Sequence, residues 1–196
     1  MPVLRNRTGR QLRFSTTTFQ AKTDVNGPVI SGYFAVFNSD YVMDPLTRER
    51  IAPGAFSNIG GADVRALIDH VTYLVLGRTI VGTLLLREDD IGLWGEIRIN
   101  ENDSDAMNLY ARVQRGDVSQ CSIGFDIEDE TYEMSSDGQT CTWIIIKVIL
   151  YEVSVVTFPA YETTSVEARA ASNVASLQSI RRERRKNDLR ERIKKL

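Results

Sequence analysis

The sequence is poor in the residues that metal and imidazole chemistry draw on, with one histidine and two cysteines among 196 residues. His70, Cys121 and Cys141 are too few for a usual structural zinc site. Two cysteines also argue against a disulfide-stapled secreted scaffold and imply a reducing, intracellular setting. Met1-Pro2-Val3-Leu4-Arg5 runs straight into polar sequence, unlike a secretory leader. The longest apolar run, Trp143 to Phe158, carries Lys147 and Glu152 and is rich in Ile and Val, so it reads as a strand and not as a membrane span. There is no GxxxxGK[ST] phosphate loop, no GxGxxG and no GxSxG elbow. Nucleotide-dependent and metal-dependent hydrolases are disfavoured, and neither a cofactor nor a metal is expected.

What is present fits one soluble domain with tails: 42% of residues are hydrophobic and 26% charged. The net charge of -2 conceals a segregation. Residues 1 to 22 hold five basic and no acidic residues, and residues 177 to 196 hold nine basic and three acidic. The body between them carries ten basic and 23 acidic residues, a charge of -13 between ends of +5 and +6.

Patterning along the chain predicts mostly strands. Gln11 to Lys22 and Val29 to Asn38 read as extended segments around a turn at Asp24 to Pro28, and Asp44 to Phe56 as a loop followed by a short helix over Pro53 to Ile59. Val64 to Ile68, Gly82 to Arg87 and Leu93 to Ile99 read as strands, the last two joined by a turn at Glu88 to Gly92. Asn102 to Asp105 offer N-caps to a helix with Ala106, Leu109, Tyr110 and Val113 on one face, closed by Gly116. Val118 to Ile127 and Trp143 to Phe158 are the last strands, with a turn at Ser135 to Gly138. The tail from Asn173 to Leu196 is helix-compatible, but its apolar residues leave a gap from 181 to 188. It therefore needs a partner or divides into two weak helices.

If the chain is a serine or cysteine hydrolase with an imidazole base, that base is His70, since no other histidine exists. A hairpin centred at 136 to 138 pairs residues whose numbers sum to 273–275, which sets Ser122 opposite residues 151 to 153. Opposed side chains on one sheet face lie about 4.5–5.5 Å apart at Cβ. Ser122 and Glu152 would then flank a space that an imidazole could bridge, and Glu152 needs such a partner inside an apolar strand. The same register puts Cys121 near residue 153, too far along the strands from Cys141 for a disulfide. Cys121 and Ser119 should point to the face opposite Ser122, which ranks both below it as nucleophiles.

Several segments occur in an order that closely resembles the prohead proteases of tailed phages, relatives of herpesvirus assemblin. They are Gly32 to Asn38, Ile51 to Phe56, His70 seven residues before Gly77-Arg78, Glu88 to Leu93, Ser122-Ile123-Gly124-Phe125, and Glu152 to Ala160. The resemblance covers residues 12 to 170. It implies an α+β, mostly β fold, an assemblin-like β-barrel with flanking helices and a charged helical C-terminal tail. It also implies a serine endopeptidase with Ser122 as nucleophile, His70 as base and Glu152 as third member. The oxyanion donors should come from the loop after the Glu152 strand, where Pro159 lacks an N–H and Ala160 or Tyr161 follow. The chain departs from relatives in having Val71 where many have an acidic residue after the histidine, and Cys121 where an apolar residue often precedes the serine.

The expected organisation is a basic arm over 1–11, a protease domain over 12–170 and a basic, partly helical tail over 171–196. Expected partners are capsid precursor and scaffold proteins and a second copy of the chain as a dimer, with no membrane; nucleic acid is disfavoured because the acidic body repels it. The expected setting is the host cytoplasm, inside the assembling prohead, where the enzyme would also cleave itself. The alternative is a non-catalytic capsid-assembly or scaffold-binding module.

Overall fold

The computed structural model describes residues 10–15, 19–25, 27–158, 178–183, 185–187 and 189–191. The protein is mostly β. Besides helical residues in the tail, the main elements are eleven strands and α1: β1 (Gln11–Ser15), β2 (Gln20–Asp24), β3 (Gly27–Val36), β4 (Tyr41–Asp44), β5 (Thr47–Ile51), β6 (Arg65–Ile68), β7 (Val71–Arg78), β8 (Leu84–Glu88), β9 (Gly92–Arg98), α1 (Ser104–Arg115), β10 (Gln120–Met134) and β11 (Cys141–Val156). Among the described residues they pair into two sheets, and no pairing closes either sheet into a ring.

The larger sheet is organised on β11. One edge of this strand pairs antiparallel with β10, which in turn pairs with β1. The other edge is shared: Cys141 to Ile145 pair with β5, and Glu152 to Val155 pair with β6, both parallel. β4 and β7 extend β5 and β6 outward. The smaller sheet runs β2-β3-β9-β8. The two sheets meet in a common apolar core that includes Phe34, Phe56, Leu93, Ile123, Phe125 and Val153. The Cys121 thiol belongs to that core, donating towards the backbone carbonyls of Tyr33 and Phe34 on β3.

The helix behaves as its sequence predicts. Asp103 is the N-cap, accepting from the N–H groups of Asp105 and Ala106, and Gly116 ends the helix in the left-handed region. Ala106, Leu109, Tyr110 and Val113 are its buried face. The hairpins at Asp24 to Gly27 and at Asp89 to Gly92 also form, the second with the Asp89 carboxylate accepting from Ile91 and Gly92.

Four expectations are corrected. Gln11 to Lys22 is two strands in different sheets. Asp44 to Phe56 is not a loop. β4 and β5 form a hairpin there, and the charged run of β5 is tolerated because Glu49 is buried in an ion pair with Arg13 of β1. In place of a helix over Pro53 to Ile59 there are successive turns, interrupted by Gly54 at φ +91° and tied down by the Glu88 carboxylate, which accepts from the N–H groups of Gly54 and Phe56. β7, which carries the exposed Tyr73 and Val75, was not expected at all.

The described tail residues are helical, and the partner that they need is the far tip of the β10–β11 hairpin. Ile180 is buried against Cys141 and Trp143, with Tyr132 and Met134 beside them. Arg181 donates to the backbone carbonyls of Gly138 and Gln139 in the hairpin turn. Among the described residues no helix is long and apolar enough to cross a membrane.

Candidate active site

The site is assembled on the near end of the β10–β11 hairpin, and a bulge decides which residues share its face. From the tip, residues pair with a sum of 275, as in Met134 with Cys141 and Phe125 with Leu150. Two lower irregularities cancel. A third, between Gly124 and Phe125, leaves Tyr151 as the extra residue on β11, after which Gly124 pairs with Glu152 and Ser122 with Ser154. The expected opposition of Ser122 to Glu152 is therefore corrected by one pair: Ser154 faces Ser122 directly and Glu152 is its diagonal neighbour. The bulge has a larger consequence. At the tip register Ser122 would oppose Val153, and Glu152 would lie on the core face with Ile123.

The Glu152 side chain lies over Gly124 of β10, the strand that carries Ser122, and the space it occupies exists because residue 124 is glycine. A Cβ at Gly124 would collide with the Glu152 carboxylate. That carboxylate is 3% exposed as part of its residue and is satisfied on both oxygens. Its Oε1 lies 2.7 Å from His70 Nδ1, and its Oε2 accepts a hydrogen bond of 2.6 Å from the Ser154 hydroxyl. Two partners of this kind make a buried carboxylate tolerable.

His70 is delivered to Glu152 by a tight turn. β6 and β7 pair from Ile68 to Val71, so Asp69 and His70 are the two central residues of the hairpin loop. Both have positive φ, 47° and 61°, as a type I′ turn requires. Neither is glycine, and this conformation costs a typical L-residue about 1–2 kcal/mol. The turn is held to the end of β11: the Asp69 N–H donates to Val155 O (3.0 Å), and the Asp69 carboxylate accepts from the Thr157 N–H (2.7 Å) and hydroxyl (3.0 Å).

Ser122 is fully buried, and among the described residues its hydroxyl has no hydrogen-bond partner. A buried hydroxyl without a partner is costly and, in native proteins, calls for a reason such as catalysis. Cys121, next in sequence, lies on the opposite face in the core, and among the described residues neither cysteine is in a disulfide. Burial pushes the Cys141 thiol up to about 11. Among the described residues no three His, Cys, Asp or Glu side chains gather as a metal site.

Of the residues singled out in the sequence, the fold brings His70 and Glu152 into contact and sets Ser122 on the same sheet face, while Ala160 and Tyr161 lie outside the described residues. Ser154 and Asp69 were missed. Asp69 had a usable signal, since a short polar pair between two apolar segments is hairpin chemistry and Asp tolerates the left-handed region. Ser154 had none.

A family model for caudovirus prohead serine proteases matches residues 15–178. The prohead protease of Enterobacteria phage HK97 is 30% identical over 178 residues, spanning 88% of this chain and 72% of the phage protein. The solved structure of the bacteriophage T4 capsid assembly protease is similar over 76% of this chain and 99% of its own, with a TM-score of 0.49 and 12% identity.

Proposed function

Because the chain belongs to the caudovirus prohead serine protease family, we propose that Ser122 is its nucleophile, His70 its general base and Glu152 the residue that orients the base. The observation that carries this reading is the 2.7 Å contact between His70 Nδ1 and a buried, otherwise satisfied Glu152 carboxylate, on the sheet face that Ser122 shares. With the Nδ1 proton donated to Glu152, Nε2 is left as the basic nitrogen. It takes the Ser122 proton as the hydroxyl attacks a peptide carbonyl and returns it to the leaving amine. Glu152 fixes the tautomer and stabilises the imidazolium. Water acting by the same route releases the acyl-enzyme.

Ser122 has no solvent exposure, so a peptide reaches it after the groups that cover it withdraw. Catalytic hydrogen bonds are commonly longer or absent before substrate binds, and closure of the serine hydroxyl onto Nε2 belongs to that step. The oxyanion requires N–H donors, for which Ala160 and Tyr161 are the choice by position in the chain.

The substrates in this reading are capsid precursor and scaffold proteins, with self-cleavage, inside the assembling prohead in the host cell. Residues 12–170 form the protease domain, 1–11 a basic arm and 171–196 a tail; a dimer is the working assembly, tested by sedimentation. The groove of about 780 Å³ between the tail helix and the hairpin tip is bordered by Arg181, Arg182, Arg185 and Lys186, which suits an acidic segment of the scaffold. The deciding experiment for the site is co-expression with the capsid precursor followed by mass spectrometry. Ser122→Ala and His70→Ala should each lower processing by about 10⁴ to 10⁶ while remaining folded. Full processing by either variant would reject the assignment.

A further inference from the structure

We propose that Asp69 is a positioning residue for His70: its carboxylate, bound to the N–H and hydroxyl of Thr157, fixes the histidine turn to the strand that carries Glu152. The proposal rests on the reading of His70 as the general base.

The argument begins with the turn. His70 projects from a two-residue loop in which both residues adopt positive φ, and such a loop is not rigid by its own preference when neither residue is glycine. The β6–β7 pairing next to it is irregular, with register shifts on both sides of Leu67. The flanking ladder therefore does little to fix the angle at which the loop meets β11. Three hydrogen bonds from Asp69 do so, one from its N–H to Val155 and two into its carboxylate from Thr157. Val155 and Thr157 directly follow Ser154 and Glu152 on the same strand and its exit. The base and its orienting carboxylate are thus referenced to one length of backbone, and a displacement of about 1 Å at such a site costs on the order of 100-fold in rate. Thr157 is also three residues before Ala160, so the same carboxylate anchors the start of the segment from which the oxyanion donors are expected.

Substitutions separate this role from turn formation. In Asp69→Gly the positive φ becomes easy and the turn keeps its shape, but the carboxylate is lost. In Asp69→Asn an amide oxygen still accepts from the Thr157 N–H, and the amide NH₂ reaches its hydroxyl oxygen. The probe is the imidazole itself: His70 is the one histidine in the sequence, and a proton held between Nδ1 and Glu152 should give a single, strongly deshielded NMR resonance. It is recorded in full-length protein carrying Ser122→Ala, while kcat and KM on a peptide substrate are measured with Ser122 intact. Asp69→Ala and Asp69→Gly should lower kcat about 100-fold with KM changed less than about twofold, and should broaden or abolish the resonance. Asp69→Asn should recover kcat to within about tenfold and retain the resonance. Turnover within about twofold of the parent, or an unchanged resonance, in Asp69→Gly overturns the proposal. Full activity of Ser122→Ala would instead reject the nucleophile, and the resonance, which does not depend on which group attacks, would still decide the role of Asp69.

Discussion

The two ends of the β10–β11 hairpin are built from the same pair of strands and differ in what they bury. At the far end, from Glu130 to Met134 and Cys141 to Ile145, β11 alternates: Cys141, Trp143 and Ile145 point inward and Thr142 and Ile144 are half-buried. Its cluster is apolar and completed by Ile180 from the tail. At the near end the alternation stops. Ser122, Glu152 and Ser154 are all buried, among them a paired carboxylate and, at Ser122, a hydroxyl with no hydrogen-bond partner among the described residues. Along β11 the far end keeps the ordinary strand alternation of buried and more exposed residues. The near end departs from that pattern, and a strained two-residue turn sits beside it. Departures from local rules concentrate where function is carried.

Substitutions at the near end should break turnover while leaving the fold, and those at the far end the reverse. The largest expected effect after loss of the serine or histidine is Glu152→Gln, which keeps the shape but cannot hold an imidazolium, and should lower kcat by about 10³ to 10⁴ with little change in far-ultraviolet circular dichroism. Gly124→Ala follows: its methyl group displaces the Glu152 carboxylate, and kcat should fall about 100-fold. Retained activity in Gly124→Ala would mean that the carboxylate position is not critical.

How far the sequence discloses this near end can be traced residue by residue. His70, Ser122 and Glu152 stand out because each is chemically constrained: a single histidine, a serine in an ordered motif, a carboxylate inside an apolar strand. The pairing between them does not stand out, because the bulge at Tyr151 is chosen by packing and not by any local turn residue. Glu49 reads as a solvated loop charge until Arg13, 36 residues away, is placed against it. β7 is hidden because Thr72, Tyr73 and Val75 are exposed and no alternation marks them. α1 is legible throughout, since its cap, face and closing glycine are all local.

Smaller effects sharpen the comparison. Ser154→Ala removes one of the two partners of the Glu152 carboxylate; a hydrogen bond to a charged group is worth about 1.5–3 kcal/mol, so kcat should fall about tenfold or somewhat more. A pH–rate profile displaced in the variant would show that the loss runs through the carboxylate and imidazole. At the far end, Ile180→Ala should cost about 2 kcal/mol of docking between the tail helix and the hairpin, read as faster amide exchange over residues 178–191. Peptidase activity should be unchanged. A loss of turnover in Ile180→Ala would show that the two ends are coupled.

The central claim is that Ser122 is the nucleophile and His70 its base, and the most direct measurement is covalent labelling with a serine-directed fluorophosphonate, followed by peptide mapping of the adduct. The account predicts a single adduct on Ser122 in the parent protein and its disappearance in His70→Ala. An adduct on Ser119 or Cys121, or labelling of Ser122 that persists without the histidine, would contradict it.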